Sequence, residues 1–148
     1  MSFEFERIDY RKDLNPKQKE NYNFQKISAV LADYGFVTLR LSDDWRGADF
    51  IALHTSGKSL QVQLKSRLTF LKIYEDRDDL YVVFPLGKEW YLYNHRELLN
   101  KVLKATNIGA TKSWKEKGLY SIGKPGAMYL ELLKDYRLDK SEAVGIAD

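Results

Sequence analysis

Six consecutive residues, Leu60-Gln61-Val62-Gln63-Leu64-Lys65, alternate strictly between apolar and polar side chains. A period of two belongs to an extended strand and to no helix. It divides the segment into an apolar face of Leu60, Val62 and Leu64 and a polar face of Gln61, Gln63 and Lys65. Upstream, Asp49-Phe50-Ile51-Ala52-Leu53-His54 has the pattern of an interior strand, and Thr55-Ser56-Gly57-Lys58-Ser59 supplies turn chemistry between the two. The pair reads as an antiparallel hairpin centred on Gly57, in which opposed residue numbers sum to 114, so that Asp49 faces Lys65 and Ile51 faces Gln63. Opposed side chains lie about 5 Å apart and diagonal ones about 7–8 Å. The hairpin therefore gathers an acid, an amide and a lysine on one sheet face.

The flanking sequence supplies the rest of an α/β (α+β) domain with a mixed sheet flanked by helices. Asn15-Pro16 is a helix-start signal, because Asn accepts free backbone N–H groups at the N-cap and Pro at the first helical position forfeits no hydrogen bond. Phe24, Ile27, Val30, Leu31 and Tyr34 follow at helical spacing, with Gly35 at the C-cap. Phe36 to Leu41 reads as a half-buried strand and Ser42 to Gly47 as a loop. Further strands are expected at Leu80 to Phe84 and Trp90 to Tyr93, joined by a turn containing Pro85 and Gly87. Helices are expected at Arg96 to Lys104 and Met128 to Tyr136, with Ser113 to Gly126 as loop. Residues 1–14 read as an N-terminal arm and 137–148 as a mobile tail of one domain spanning 1–148, a length suited to a single core.

Charge and composition narrow the chemistry. Lys+Arg 24 against Asp+Glu 21 gives a net charge of +3, so any affinity for a polyanion comes from a local patch. Such a patch exists: from Phe50 to Tyr74 there is no acidic residue, while Lys58, Lys65, Arg67 and Lys72 contribute +4. The absence of cysteine excludes disulfides, thiolate zinc sites, Fe–S clusters and a cysteine nucleophile. No phosphate-loop, dinucleotide-glycine or G-x-S-x-G pattern is present. The N-terminus lacks a secretory pattern and the longest apolar run, Leu80 to Leu86, contains a proline, so the expectation is a soluble, cytoplasmic protein without a membrane segment. His54 and His95 have no ligand spacing and read as structural. Trp90-Tyr91-Leu92-Tyr93 reads as core and Glu75-Asp76-Arg77-Asp78-Asp79 as a hydrated turn.

A carboxylate and a side-chain carbonyl are hard oxygen ligands of the kind Mg²⁺ takes while keeping several waters, and an adjacent lysine can place positive charge on a phosphate or help position an attacking water. Gly47-Ala48-Asp49-Phe50-Ile51-Ala52 followed by Gln61-Val62-Gln63-Leu64-Lys65, with the preceding helix ending at Tyr34-Gly35-Phe36, resembles the active-site hairpin of the PD-(D/E)xK nuclease superfamily over about residues 16 to 84. The resemblance implies a restriction-endonuclease-like core, Asp49 as metal-ligating aspartate, Lys65 as catalytic lysine, Mg²⁺ or Mn²⁺ as cofactor, DNA as substrate and a homodimer as the assembly. Gln63 occupies the (D/E) position, which lowers the formal charge of the pair from −2 to −1, and Ala48 replaces the motif's proline. A further acid from the first helix would compensate. Glu20 is the nearest, Gln25 stands near the usual position, and Asp43 and Asp44 are loop alternatives. Arg46, Arg67 and Lys72 are the candidate phosphate contacts. The second reading is a catalytically inactive nucleic-acid-binding or protein-interaction module with the same fold.

Overall fold

The computed structural model of the protein describes residues 3–138. Residues 10–13 form one helical turn, α1 (Tyr10–Asp13), capped by the Asp9 carboxylate. The helix expected after Asn15 is α2 (Pro16–Ala32). Asn15 accepts the Gln18 N–H at 2.8 Å while the Gln18 side chain accepts the Asn15 N–H at 2.9 Å, a reciprocal capping box. Strands β1 (Phe36–Trp45), β2 (Ala48–His54), β3 (Ser59–Leu64) and β4 (Leu68–Leu71) follow. After a short 3₁₀ turn at Lys72–Tyr74 come β5 (Leu80–Leu86), β6 (Glu89–Asn94) and α3 (His95–Ala105). A π-helical turn at Ser113–Lys117 leads into β7 (Leu119–Ile122), then α4 (Ala127–Leu133) and β8 (Arg137–Leu138).

Six strands form one mixed sheet in the order β1-β2-β3-β5-β6-β8, and β4 pairs with β7 in a separate two-stranded ribbon. The β3–β5 pair is parallel and the remaining pairs are antiparallel. Alternation along the strands divides the core in two. Phe50, Ala52, Val62, Val83 and Trp90 pack against Ile27, Val30 and Leu31 of α2, with Leu60 and Leu64 at the margin, as the period-two pattern of β3 predicts. Val82, Phe84, Tyr91 and Tyr93 pack on the opposite side with Leu68 and Phe70 of β4, Leu98, Leu99 and Val102 of α3, and Trp114 and Leu133. No helix among the described residues is long and apolar enough to cross a membrane.

Several expectations are corrected. The β2–β3 register pairs Phe50 with Val62 and Ile51 with Gln61, so opposed numbers sum to 112 rather than 114. The reason lies in the turn. His54 N–H bonds the Lys58 carbonyl, enclosing a three-residue loop in which Gly57, at φ +94°, is the last residue and not the centre. Ser42 to Trp45, expected as loop, continue β1, and the turn is confined to Arg46 and Gly47. Pro85 lies within β5, and α3 begins at His95. The Ser113–Gly126 segment contains a helical turn and β7. The closing helix is α-helical only to Leu133, finishing as 3₁₀ at Lys134–Tyr136. Arg137 and Leu138, expected in the tail, pair with Tyr91 and Trp90. The rest of that expected tail, residues 139–148, lies outside the described residues.

Candidate functional site

A cleft of about 580 Å³ opens where the beginning of α2 meets the ends of the first three strands. Pro16, Lys19, Glu20 and Asn23 form the helical wall, at the i, i+3, i+4, i+7 spacing of one face. Asp44, Asp49, Gln63, Leu64, Lys65 and Ser66 form the sheet wall, and Tyr10 of α1 stands at the side. Asn23 donates to the Tyr10 hydroxyl at 2.9 Å, tying α1 to the helix. Asp49, Gln63 and Lys65, the three residues singled out on the hairpin, therefore share this cleft. They meet through the 112 register, which aligns Asp49 with Gln63 and carries Lys65 beyond the end of β3.

Asp44 enters the cleft through an irregularity in β1. Between the paired residues Arg40–Phe50 and Trp45–Ala48, four residues of β1, Leu41 to Asp44, stand against one residue of β2, Asp49. This bulge turns Asp44 toward Asp49. The strands then reverse through Arg46 and Gly47 at φ +53° and +86°, the paired left-handed conformations of a type I′ hairpin turn. Arg46 is the only non-glycine with positive φ among the described residues.

Asp49 Oδ2 accepts the Leu64 N–H at 2.7 Å. Burial pushes the Asp49 carboxyl up to about 6, and Asp44 adds to this both by its charge and as a hydrogen-bond partner, while the Leu64 N–H and the Lys65 ammonium act in the opposite direction. Two carboxyls so close, one of them half-buried, make a site whose negative charge is poorly compensated. Gln63 is only 8% exposed and its amide nitrogen donates to the Gly47 carbonyl at 3.1 Å. That acceptor can bond only the NH₂ end, which fixes the amide's orientation and leaves Oε1 as its remaining polar atom. Lys19 and Lys65 form no ion pair among the described residues.

The other candidates are distributed less tightly. Glu20 lines the cleft but is engaged by Arg40 at 2.9 Å and Lys17 at 3.9 Å. Gln25 is not brought to the cleft. Five residues beyond Glu20 it is rotated by about 140° around the helix, and it lines a separate groove with Leu14, Gln18, Asn21, Tyr22 and Lys26. Arg46, Arg67 and Lys72 are also outside the cleft lining. Arg46 pairs with Asp79 at 3.7 Å and lies over the Trp45 ring, Arg67 lies against Gly123, and Lys72 begins the 3₁₀ turn beside Gly118. Among the described residues no group of three or more His, Cys, Asp and Glu side chains is arranged to hold a metal ion.

Sequence reasoning named Glu20 of the helical wall but missed Pro16, Lys19 and Asn23. Their signal was present: the face that buries Ile27, Val30 and Leu31 continues toward the N-terminus as Asn23, Glu20 and Pro16, with Lys19 beside them. The supposedly hydrated turn at Glu75–Asp79 is also structural. The Arg77 side chain is 19% exposed and bonds Asp79, Gln61 and the Arg46 carbonyl. The sequence matches no protein-family model and no curated protein.

Proposed function

We propose that the protein is a divalent-cation-dependent phosphodiesterase that cleaves DNA, of the kind that the likeness of its hairpin to PD-(D/E)xK nucleases suggests. The observation that carries this reading is the shared cleft of Asp44, Asp49, Gln63 and Lys65, which gathers two carboxyls, a side-chain amide and a lysine that forms no ion pair among the described residues. The donor set fits Mg²⁺ or Mn²⁺, hard ions that take one or two protein carboxylates and fill their remaining positions with water and phosphate oxygens. Asp49 and Asp44 would hold the ion, with the Gln63 carbonyl beside them. When bound, it neutralises phosphate charge and acidifies water.

The protein's own groups account for the rest. Hydrolysis forms one P–O bond from water and breaks the ester P–O bond, with the proton lost by water balanced by the one gained at the leaving hydroxyl. Lys65 sets a positive charge where negative charge develops on the phosphoryl oxygens. Lys19, from the facing wall, offers a second ammonium to the polyanion. A homodimer, one active site per strand, suits cleavage of a duplex.

One observation favours the inactive module instead: the site holds an amide where a third anionic group would strengthen metal binding, and no cluster of three acidic or histidine ligands exists among the described residues. Cleavage separates the two readings. Incubated with supercoiled plasmid or branched DNA and Mg²⁺ or Mn²⁺, the wild-type protein should nick the substrate and Lys65→Ala should lower the rate by at least about 100-fold. DNA binding without cleavage in either metal would leave the binding module as the function.

A further inference from the structure

The turn between the two carboxylates is held by both of its carbonyls. Arg77 Nη1 donates to the Arg46 carbonyl at 2.6 Å, and Gln63 Nε2 donates to the Gly47 carbonyl at 3.1 Å. Arg77 is itself fixed by Asp79 at 2.7 Å and Gln61 at 3.3 Å, and Gln61 in turn donates to Asp79 at 3.2 Å. The Tyr74 ring also closes on Gly47, so tightly that a Cβ there would fall 2.7 Å from its Cζ, and Arg77 lies over the same ring. Asp44 precedes this turn by two residues and Asp49 follows it by two, so its shape sets the separation of their carboxyls.

We propose that Gln63 and Arg77 are positioning residues that brace the Arg46–Gly47 turn and thereby hold Asp44 and Asp49 as one cation-binding pair, so that the amide at 63 is required and is not the remnant of a lost acid. The inference rests on the cation-binding reading above and gives it a specific architecture. A glutamate at 63 has no proton to give the Gly47 carbonyl at neutral pH and would set a carboxylate against that oxygen. Restoring the motif's acid therefore damages the site although it adds negative charge. Replacing Arg77 should do the same from the opposite end of the turn, about as far as removal of an outer-shell partner weakens other metal sites, roughly 10–100-fold.

The test is calorimetric titration of Mn²⁺ into the chelator-treated full chain, alongside amide hydrogen exchange at Leu64, whose N–H is bonded to Asp49. Gln63→Glu and Arg77→Gln should each weaken Mn²⁺ binding by about 10–100-fold and speed Leu64 exchange relative to wild type, while both retain a cooperative melt. Arg77→Gln lies outside the core and guards against a fold defect in the buried variant. Mn²⁺ binding by Gln63→Glu as tight as wild type, or tighter, overturns the proposal and makes position 63 an ordinary ligand site. If wild type takes up no Mn²⁺, the cation reading fails by itself. The brace is then decided by exchange: faster at Leu64 in both variants sustains it, and unchanged exchange overturns it.

Discussion

His95 is fully buried as the first residue of α3, where its Nε2 accepts the Leu71 N–H at 3.0 Å and so joins the helix to β4. With Nε2 an acceptor, the ring's proton belongs on Nδ1. Burial pushes the imidazole down to about 4 from an ordinary 6.5, with a hydrogen bond to the Tyr74 backbone acting in the opposite direction. Above pH 6.5 the ring is neutral in both the folded and unfolded chains and costs nothing. As pH falls from about 6.5 to about 4 the unfolded chain binds a proton that the folded chain refuses, so stability drops by up to about 3 kcal/mol. Urea denaturation at pH 7.5 and 4.5 should show wild type losing about 2–3 kcal/mol more than His95→Gln. Equal losses in the two proteins would show that the ring is not the group responsible. Asp49 is the opposite case. Its raised carboxyl means that the charged form is the strained one, and the folded state is favoured by acid and loses that contribution as pH rises through about 6.

The Arg46–Gly47 turn carries the strongest prediction at the level of secondary structure. Gly47 and Gly57 both end hairpin turns at similar positive φ, +86° and +94°, but a Cβ at Gly57 would meet nothing within 4 Å whereas one at Gly47 would strike the Tyr74 ring. Gly57→Ala should therefore cost only the left-handed backbone penalty of about 1–2 kcal/mol, and Gly47→Ala a further 1–3 kcal/mol, roughly, of overpacking. Chemical denaturation measures both, and Tyr74→Ala should abolish the excess at Gly47. Identical costs at the two glycines would contradict the contact. The same elements show what the sequence disclosed. The α2 cap, the β3 faces and the presence of strands β5 and β6 were legible because capping, alternation and short apolar runs are local signals, although Pro85, expected in the turn between them, lies within β5. The β2–β3 register was missed by two because loop length, and not the position of glycine alone, sets it. The four-residue strands β4 and β7 were invisible: Leu68-Thr69-Phe70-Leu71 does not alternate, and its partner lies about 50 residues away. Asp44 was noticed only as a loop acid, since nothing local announces a bulge that sets four residues against one.

Across the whole molecule, α2 covers one side of the six-stranded sheet, while β4, β7, α3 and α4 cover the other. Where the apolar face of α2 gives way to Pro16, Lys19, Glu20 and Asn23, the helix no longer seals the sheet and the cleft forms. The site is thus the end of the core, where burial is deep enough to perturb Asp49 and solvent is near enough to admit a ligand. Net charge of +3 does not by itself favour a polyanion, and the proposed function relies on Lys19 and Lys65, placed on opposing walls, for a local attraction. The most direct test is anomalous scattering from crystals soaked in Mn²⁺, compared with crystals of Asp49→Ala. A manganese peak is expected in the cleft within coordination reach of the Asp44 and Asp49 carboxylates, absent from the variant. Manganese bound elsewhere with none in the cleft, or a cleft peak that survives Asp49→Ala, would contradict it.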